Sequence, residues 1–262
     1  MKSHNKTILE VTGLTKTFGD FIAVDGIELT LRPGEIFGFL GPNGAGKTTT
    51  IKMLAGLLQP DCGQIIIDNH DLKQSPRQCK RKTGYIPDRP FIYEKLTGNE
   101  YLHFLASLYK KGQSFDVQQA AREYLQLFDL VEWQDHLIES YSHGMRQKLI
   151  MTSILMLDQP LIVVDEPMVG LDPKSARIVK ELFKKMARKG GAVFLSTHSL
   201  EIAEELCDRI AIIVQGRIRA MGTMEALRSR TDGDDNSLED IFLQLTGAYE
   251  LQEIVQALRS NH

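Results

Sequence analysis

From Ile8 to Phe39 short apolar runs are punctuated by Gly19-Asp20 and Arg32-Pro33-Gly34, a pattern that predicts antiparallel strands leading into the wholly apolar segment Ile36-Phe37-Gly38-Phe39-Leu40. Gly63-Gln64-Ile65-Ile66-Ile67-Asp68-Asn69 predicts one more strand with turns at both ends. After Tyr85-Ile86-Pro87-Asp88-Arg89-Pro90 the period changes. Thr97 and Glu100 have capping-box spacing, Tyr101, Leu105 and Leu108 then recur at helical intervals, and Val117, Ala121, Tyr124 and Phe128 predict a second helix. Residues from about 90 to 158 therefore read as a helical insert. Strand signals return at Leu161-Ile162-Val163-Val164 and Ala192-Val193-Phe194-Leu195 with a helix between them, the alternation of a parallel sheet. A polar break from Ser229 to Asn236 precedes Ser237 and Asp240, which are spaced to cap a helix through Leu238, Ile241, Phe242 and Leu245.

Composition narrows this picture without redirecting it. At 262 residues and a formal charge of −3, the chain has room for a sizeable core and gives no electrostatic case for wrapping nucleic acid. Cys62, Cys79 and Cys207 are scattered without metal-ligand spacing, which favours a reducing cytoplasmic compartment. The start, Met1-Lys2-Ser3-His4-Asn5-Lys6, lacks the apolar stretch of a signal peptide, and no apolar run has the length needed to span a bilayer. Any membrane role is expected to run through a partner.

The apolar segment ending at Leu40 runs straight into Gly41-Pro42-Asn43-Gly44-Ala45-Gly46-Lys47-Thr48-Thr49, the pattern GxxxxGKT of a phosphate-cradling P-loop. Glycines let the backbone fold into a nest of N–H groups, and the following helix points its positive end at the same place. Lys47 adds charge, and Thr48 offers a ligand to Mg2+. A second strand, Leu161 to Val164, ends in Asp165-Glu166-Pro167, where an open parallel sheet presents its ligand groups. Asp165 is expected to reach the same magnesium, directly or through water. Glu166 is expected to polarise the water that attacks the terminal phosphate. Gly170-Leu171-Asp172-Pro173 precedes a long helix, and the next strand ends in Ser196-Thr197-His198-Ser199, which places His198 to donate to a γ-phosphate.

A fourth segment, Tyr141-Ser142-His143-Gly144-Met145-Arg146-Gln147-Lys148, precedes an apolar helix through Leu149, Ile150, Ile154 and Leu157. Ser142 and the exposed N–H groups of that helix would form a second anion site whose dipole points outward. Here the chain resembles the ATP-binding subunits of ABC transporters, whose signature has the form LSGGQRQ. The resemblance covers residues from about 8 to 228, with every expected motif in order.

The resemblance implies an α/β fold: a P-loop NTPase core with a mostly parallel sheet, an N-terminal antiparallel β subdomain and an inserted helical subdomain. The divisions expected are residues 1–89 with 159–228 for the core, 90–158 for the helical subdomain carrying the signature, and 229–262 for a C-terminal helical appendage. It also implies two subunits facing head to tail, each ATP held between one P-loop and the opposing signature. Ser142 and Gly144 would then contact the γ-phosphate in trans, Asp172 would tie the two sites together, and Phe18 would stack on adenine. A groove beside the insert would receive a short helix of a membrane subunit, with Pro90-Phe91-Ile92-Tyr93 a candidate surface.

The chain departs from the family pattern at three points: His143 replaces a glycine, Met145 replaces a glutamine, and Asp88 stands where glutamine is usual. A signature ending in Gly-Met-Arg-Gln resembles those of the ATPases of type-2 ABC exporters. Asp88, shorter than glutamine, is expected to act on magnesium or the attacking water through an intervening water. The expected function is thus an ATPase subunit, homodimeric or heterodimeric, at the inner face of the cell membrane through its membrane partners, with no nucleic-acid partner. The competing reading is a soluble ABC-type regulatory or nucleic-acid-associated ATPase, for which the basic helix from Lys174 to Lys189 is the feature to weigh. A small-molecule kinase shares only the P-loop and leaves the signature unexplained.

Overall fold

A computed structural model describes residues 7–89, 91–109, 115–229 and 237–246. The expectations for Met1 to Lys6, for Pro90, for 230–236 and for the chain beyond Thr246 lie outside the described residues. Strands β1 (Leu9–Phe18) and β2 (Phe21–Leu31) form an antiparallel hairpin closed at Gly19-Asp20, and β3 (Ile36–Leu40) leads into helix α1 (Lys47–Leu54). Strands β4 (Cys62–Ile67) and β5 (His70–Asp71) meet at Asp68-Asn69, both at positive φ, which is the geometry of a tight two-residue hairpin. These complete an antiparallel sheet of order β2-β1-β4-β5.

The chain continues through α2 (Pro76–Lys82) and β6 (Thr83–Ile86) into the helical insert. There the Thr97 backbone N–H donates to Glu100 Oε2 at 2.8 Å and the Glu100 N–H to Thr97 Oγ1 at 3.2 Å, so the capping box opens α3 (Gly98–Leu108) as the spacing predicts. Tyr101 faces inward, whereas Leu108 is exposed. Helix α4 (Val117–Leu127) buries Val117, Ala121 and Leu125, and α5 (His143–Leu155) closes the insert. Then come β7 (Leu161–Asp165), α6 (Pro173–Arg188), β8 (Ala192–Thr197), α7 (Leu200–Leu206), β9 (Arg209–Val214), β10 (Arg217–Gly222) and α8 (Met224–Arg228). The last described element, α9 (Leu238–Thr246), is capped by Ser237 and Asp240 and buries Leu238 and Ile241 in the main core.

The second sheet has order β10-β9-β3-β8-β7-β6, parallel except for β10. Its central strands are apolar on both faces because both faces are covered. Along β7, Leu161 and Val163 join Phe37, Phe39 and Phe194 in a core shared with α1 and the antiparallel sheet. Ile162 and Val164 face the other way, toward Leu149 of α5 and Phe183 of α6. Every strand that carries site chemistry therefore ends in a rigid, close-packed edge.

Candidate functional site

The P-loop joins β3 to α1 in a backbone path that only glycine can follow at two points. A Cβ at Gly41 would stand 2.4 Å from the Ile213 carbonyl oxygen. One at Gly46, which has φ +106, would stand 2.4 Å from the Ala23 carbonyl oxygen. The Gly216 N–H donates to the Ala45 carbonyl at 3.0 Å, tying the loop to the β9–β10 turn. No side chain caps α1, so its first N–H groups are left to a ligand. Lys47 is buried, and its Nζ donates to the Gly41 carbonyl at 2.5 Å and the Pro42 carbonyl at 3.2 Å. Burial pulls its ammonium below the ordinary lysine value, and the charges of Glu166 and Asp165 act against that shift.

A cavity of about 450 Å³ opens over this loop. It is lined by Pro42, Asn43, Gly44, Gly46, Lys47, Thr48 and Thr49 together with Asp88, Asp165, Glu166 and His198. Parallel pairing of β7 with β8 sets Asp165 opposite Ser196, whose Oγ donates to Asp165 Oδ1 and fixes that buried carboxylate. The next residue, Glu166, has φ +49, a conformation uncommon outside glycine, with its N–H donating to the Ser196 carbonyl at 3.1 Å. That turn sends the two acids in different directions. His198 Nδ1 donates to Glu166 Oε1 at 2.9 Å, because a carboxylate only accepts. With Nδ1 so engaged, donation from Nε2 to a phosphate requires the doubly protonated ring.

Asp88 follows β6 and also borders an adjoining groove of about 700 Å³ between the core and the helical insert, whose walls include Leu57, Tyr85, Phe91, Tyr101 and Leu105. The segment carrying it is anchored from the insert, since Gln147 of α5 donates from Nε2 to the Pro87 carbonyl at 3.2 Å. Burial, with Asp165 and Asp88 nearby, pushes the Tyr85 hydroxyl up to about 12.

The remaining predicted residues lie outside the cavity over the P-loop. Ser142 caps α5, its Oγ accepting from the Met145 N–H at 3.3 Å, and is exposed. A Cβ at Gly144 would stand 3.1 Å from the Gly170 carbonyl oxygen and meet nothing else. Asp172 caps α6: it accepts from the Ser175 N–H at 2.9 Å, from Ser175 Oγ at 2.6 Å and from Lys148 Nζ at 3.0 Å. Its own chain thus occupies this carboxylate, and those bonds hold it well below the usual carboxylate range. Phe18 is half exposed with Lys16 Nζ 5.5 Å from its ring centre, and its hairpin partner Phe21 is the aromatic residue that reaches the cavity.

Phe21 and Ser196 belong to the site without a role that their residue types announce. The Phe21 signal was one turn away in the hairpin. The Ser196 contact depends on a strand register that no local pattern encodes.

The donor set suits a hard divalent cation bound largely by phosphate and water. The Thr48 hydroxyl and the Asp165 and Asp88 carboxylates share the cavity. No group of three or more His, Cys, Asp or Glu among the described residues could hold a metal alone. A glycine-built loop at the carboxyl end of a central parallel strand, facing two acids at the carboxyl end of β7, the next strand but one, defines a P-loop nucleotide-binding protein.

Residues 24–169 match the family model described as ABC transporter. The chain is 36% identical over 253 residues to the linearmycin resistance ATP-binding protein LnrL of Bacillus subtilis, covering 97% of this chain and 79% of that protein. It is 37% identical over 230 residues to the daunorubicin/doxorubicin resistance ATP-binding protein DrrA of Streptomyces peucetius, covering 87% and 69% respectively. A solved structure described as the ATP binding subunit of an ABC transporter superposes with TM-score 0.87 at 33% identity, covering 91% of this chain and 99% of the other. The chain belongs to the ABC transporter family, as one of its ATP-binding ATPase subunits.

Proposed function

We propose that the chain is the ATP-hydrolysing subunit of an ABC exporter, pairing with a second such subunit around two ATP molecules and driving membrane subunits. The carrying observation is the division of the predicted residues. Lys47, Thr48, Asp165, Glu166 and His198 share one cavity, whereas Ser142 and Gly144 present a helix N-terminus elsewhere on the surface. A site so divided is completed by another chain.

In this reading the P-loop N–H groups and Lys47 hold the phosphates, and Phe21, beside Phe18, supplies the aromatic surface nearest the loop. Glu166 accepts a proton from the attacking water, and His198 orients that carboxylate. Mg2+, held by Thr48 and Asp165 with Asp88 at its edge, would neutralise charge on the phosphate oxygens. Ser142 and Gly144 of the partner subunit would close over the γ-phosphate. The groove beside Asp88, with its exposed Phe91, and the nearby exposed Tyr93 are the surface offered to a membrane subunit. Among the described residues no helix is long and apolar enough to cross a membrane. In this reading the chain is held at the inner membrane face by a membrane subunit docked in that groove. The export direction is supported by the drug-resistance relatives and by the Gly144-Met145-Arg146-Gln147 variant.

The nucleic-acid alternative is weakened at α6, where four lysines already face acids. Lys174, Lys180, Lys184 and Lys185 are paired with Asp129, Glu205, Glu181 and Glu123.

Glu166→Gln is expected to lower turnover by about a thousandfold while ATP binding persists and ATP with magnesium drives self-association, read by sedimentation. A species that stays monomeric under saturating ATP counts against pairing of identical chains. Lys47→Ala is expected to weaken ATP binding by at least about tenfold, measured by titration on the Glu166→Gln background. Unchanged affinity removes Lys47 from the site.

A further inference from the structure

The head of α5 is fastened to the segment after β7 by two side chains that stand outside the P-loop cavity. His143, the first residue of α5, lays its ring on the α-carbon of Gly170: a Cβ at 170 would stand 2.8 Å from ring Cδ2 and 3.1 Å from Nε2. A little further along α5, Lys148 Nζ donates to Asp172 Oδ2 at 3.0 Å, on the carboxylate that caps α6. Between these contacts and the cavity runs only the segment from Glu166 to Asp172, folded on itself by Val169 N–H to Glu166 carbonyl at 3.2 Å and Leu171 N–H to Met168 carbonyl at 3.3 Å. Its first residue holds His198, and its last is held by α5.

We propose that His143 is a positioning residue: seated on Gly170, its ring makes the signature segment and the Glu166 carboxylate of one chain move together. Occupancy of the partner subunit's nucleotide, met at Ser142, then sets the placement of the chain's own Glu166. This rests on the two-subunit reading above. The physical basis is steric. A flat ring resting on an α-carbon resists compression, so a shift of the head of α5 toward Gly170 pushes on that residue. His143 stands where the family signature carries glycine, and that glycine could make no such contact. The ring in turn requires glycine at 170, where φ is +78 and any Cβ meets it.

Two measurements on the full chain test this: amide hydrogen exchange across residues 166–172 without nucleotide, and ATP turnover against ATP concentration. The variants are His143→Ala, His143→Phe, Gly170→Asn and the Ala/Asn double. Asparagine tolerates positive φ, so Gly170→Asn chiefly displaces the ring. His143→Ala and Gly170→Asn are each expected to speed exchange across 166–172 about tenfold and lower kcat about fivefold, with half-saturating ATP changed less than about twofold. The parent's Hill coefficient is expected to exceed 1 and that of the two single variants to fall toward 1. The double variant should lose no more than either single, and His143→Phe, which keeps a flat ring, should stay within about twofold of the parent.

Losses that multiply in the double, or a His143→Phe variant as impaired as His143→Ala, overturn the proposal. Unchanged exchange in His143→Ala overturns it as well. Failure of the Glu166→Gln chain to self-associate with ATP would defeat the pairing reading by itself. Exchange in the unpaired chain would still decide whether His143 holds the segment.

Discussion

The P-loop and the signature segment are both helix N-termini with glycines and hydroxyl residues, yet the chain builds them in opposite ways. At α1 no side chain caps the helix, Lys47 is buried, and the loop backbone is pressed against the carbonyls of Ile213 and Ala23. At α5 Ser142 caps its own helix and stands exposed, and a Cβ at Gly144 would meet only the Gly170 carbonyl oxygen, at 3.1 Å. The first is anchored from beneath by a close-packed core, and the second rests on the surface of the insert. A phosphate site that must work within one chain needs a backbone already locked in shape. One completed by a second chain needs exposure and an unobstructed dipole.

The same substitution at the two sites gives the largest expected contrast. Gly46→Ala meets a carbonyl oxygen at 2.4 Å in a backbone conformation with φ +106, and is expected to cost about 3 kcal/mol, lowering Tm by about 10 °C. Gly144→Ala lies at negative φ near one carbonyl at 3.1 Å and is expected to cost under about 1 kcal/mol. Thermal melting of the nucleotide-free chain measures both. Equal losses would erase the distinction between an anchored loop and an exposed helix end.

A smaller effect sharpens the functional side of the contrast. Ser142→Ala removes the cap that the Met145 N–H uses and is expected to cost about 1 kcal/mol in stability. On the Glu166→Gln background it should leave the ATP affinity of the single chain unchanged, since Ser142 lies outside the P-loop cavity, while weakening ATP-driven association. Lys47→Ala should do the reverse and act on ATP affinity first. Loss of single-chain ATP affinity in Ser142→Ala would show that the signature segment serves its own nucleotide.

The same division explains what the sequence made legible. Gly41 to Thr49, the Thr97/Glu100 box and the apolar runs of β3, β7 and β8 are local patterns, and each appears in the structure as the element its pattern predicts. The Asp165–Ser196 bond, the positive φ of Glu166 and the ring of His143 on Gly170 depend on strand register and packing between distant segments. Residue type alone marks none of them. Phe18 and Phe21 face each other across the hairpin end, and that Phe21 lines the cavity is decided by the tertiary fold. Ser237 and Asp240 announced α9, and the burial of Leu238 and Ile241 against the core could not be read from that cap.

The smallest expected effect concerns Asp172, whose carboxylate is engaged within its own chain by Ser175 and Lys148. Asparagine is as good a helix cap, so Asp172→Asn should keep the bond to the Ser175 N–H and lose the ionic part of the contact with Lys148. That pair is half exposed on the acid's side, which limits the expected cost at neutral pH to under about 1 kcal/mol. The sign with pH follows from the carboxylate's depressed titration. Its contribution is present above the ordinary aspartate value near about pH 4 and is lost as pH falls toward the lower folded value. The Tm difference between parent and Asp172→Asn should therefore shrink on acidification. A difference that is large at pH 7 and constant with pH would mean that Asp172 acts through shape rather than charge.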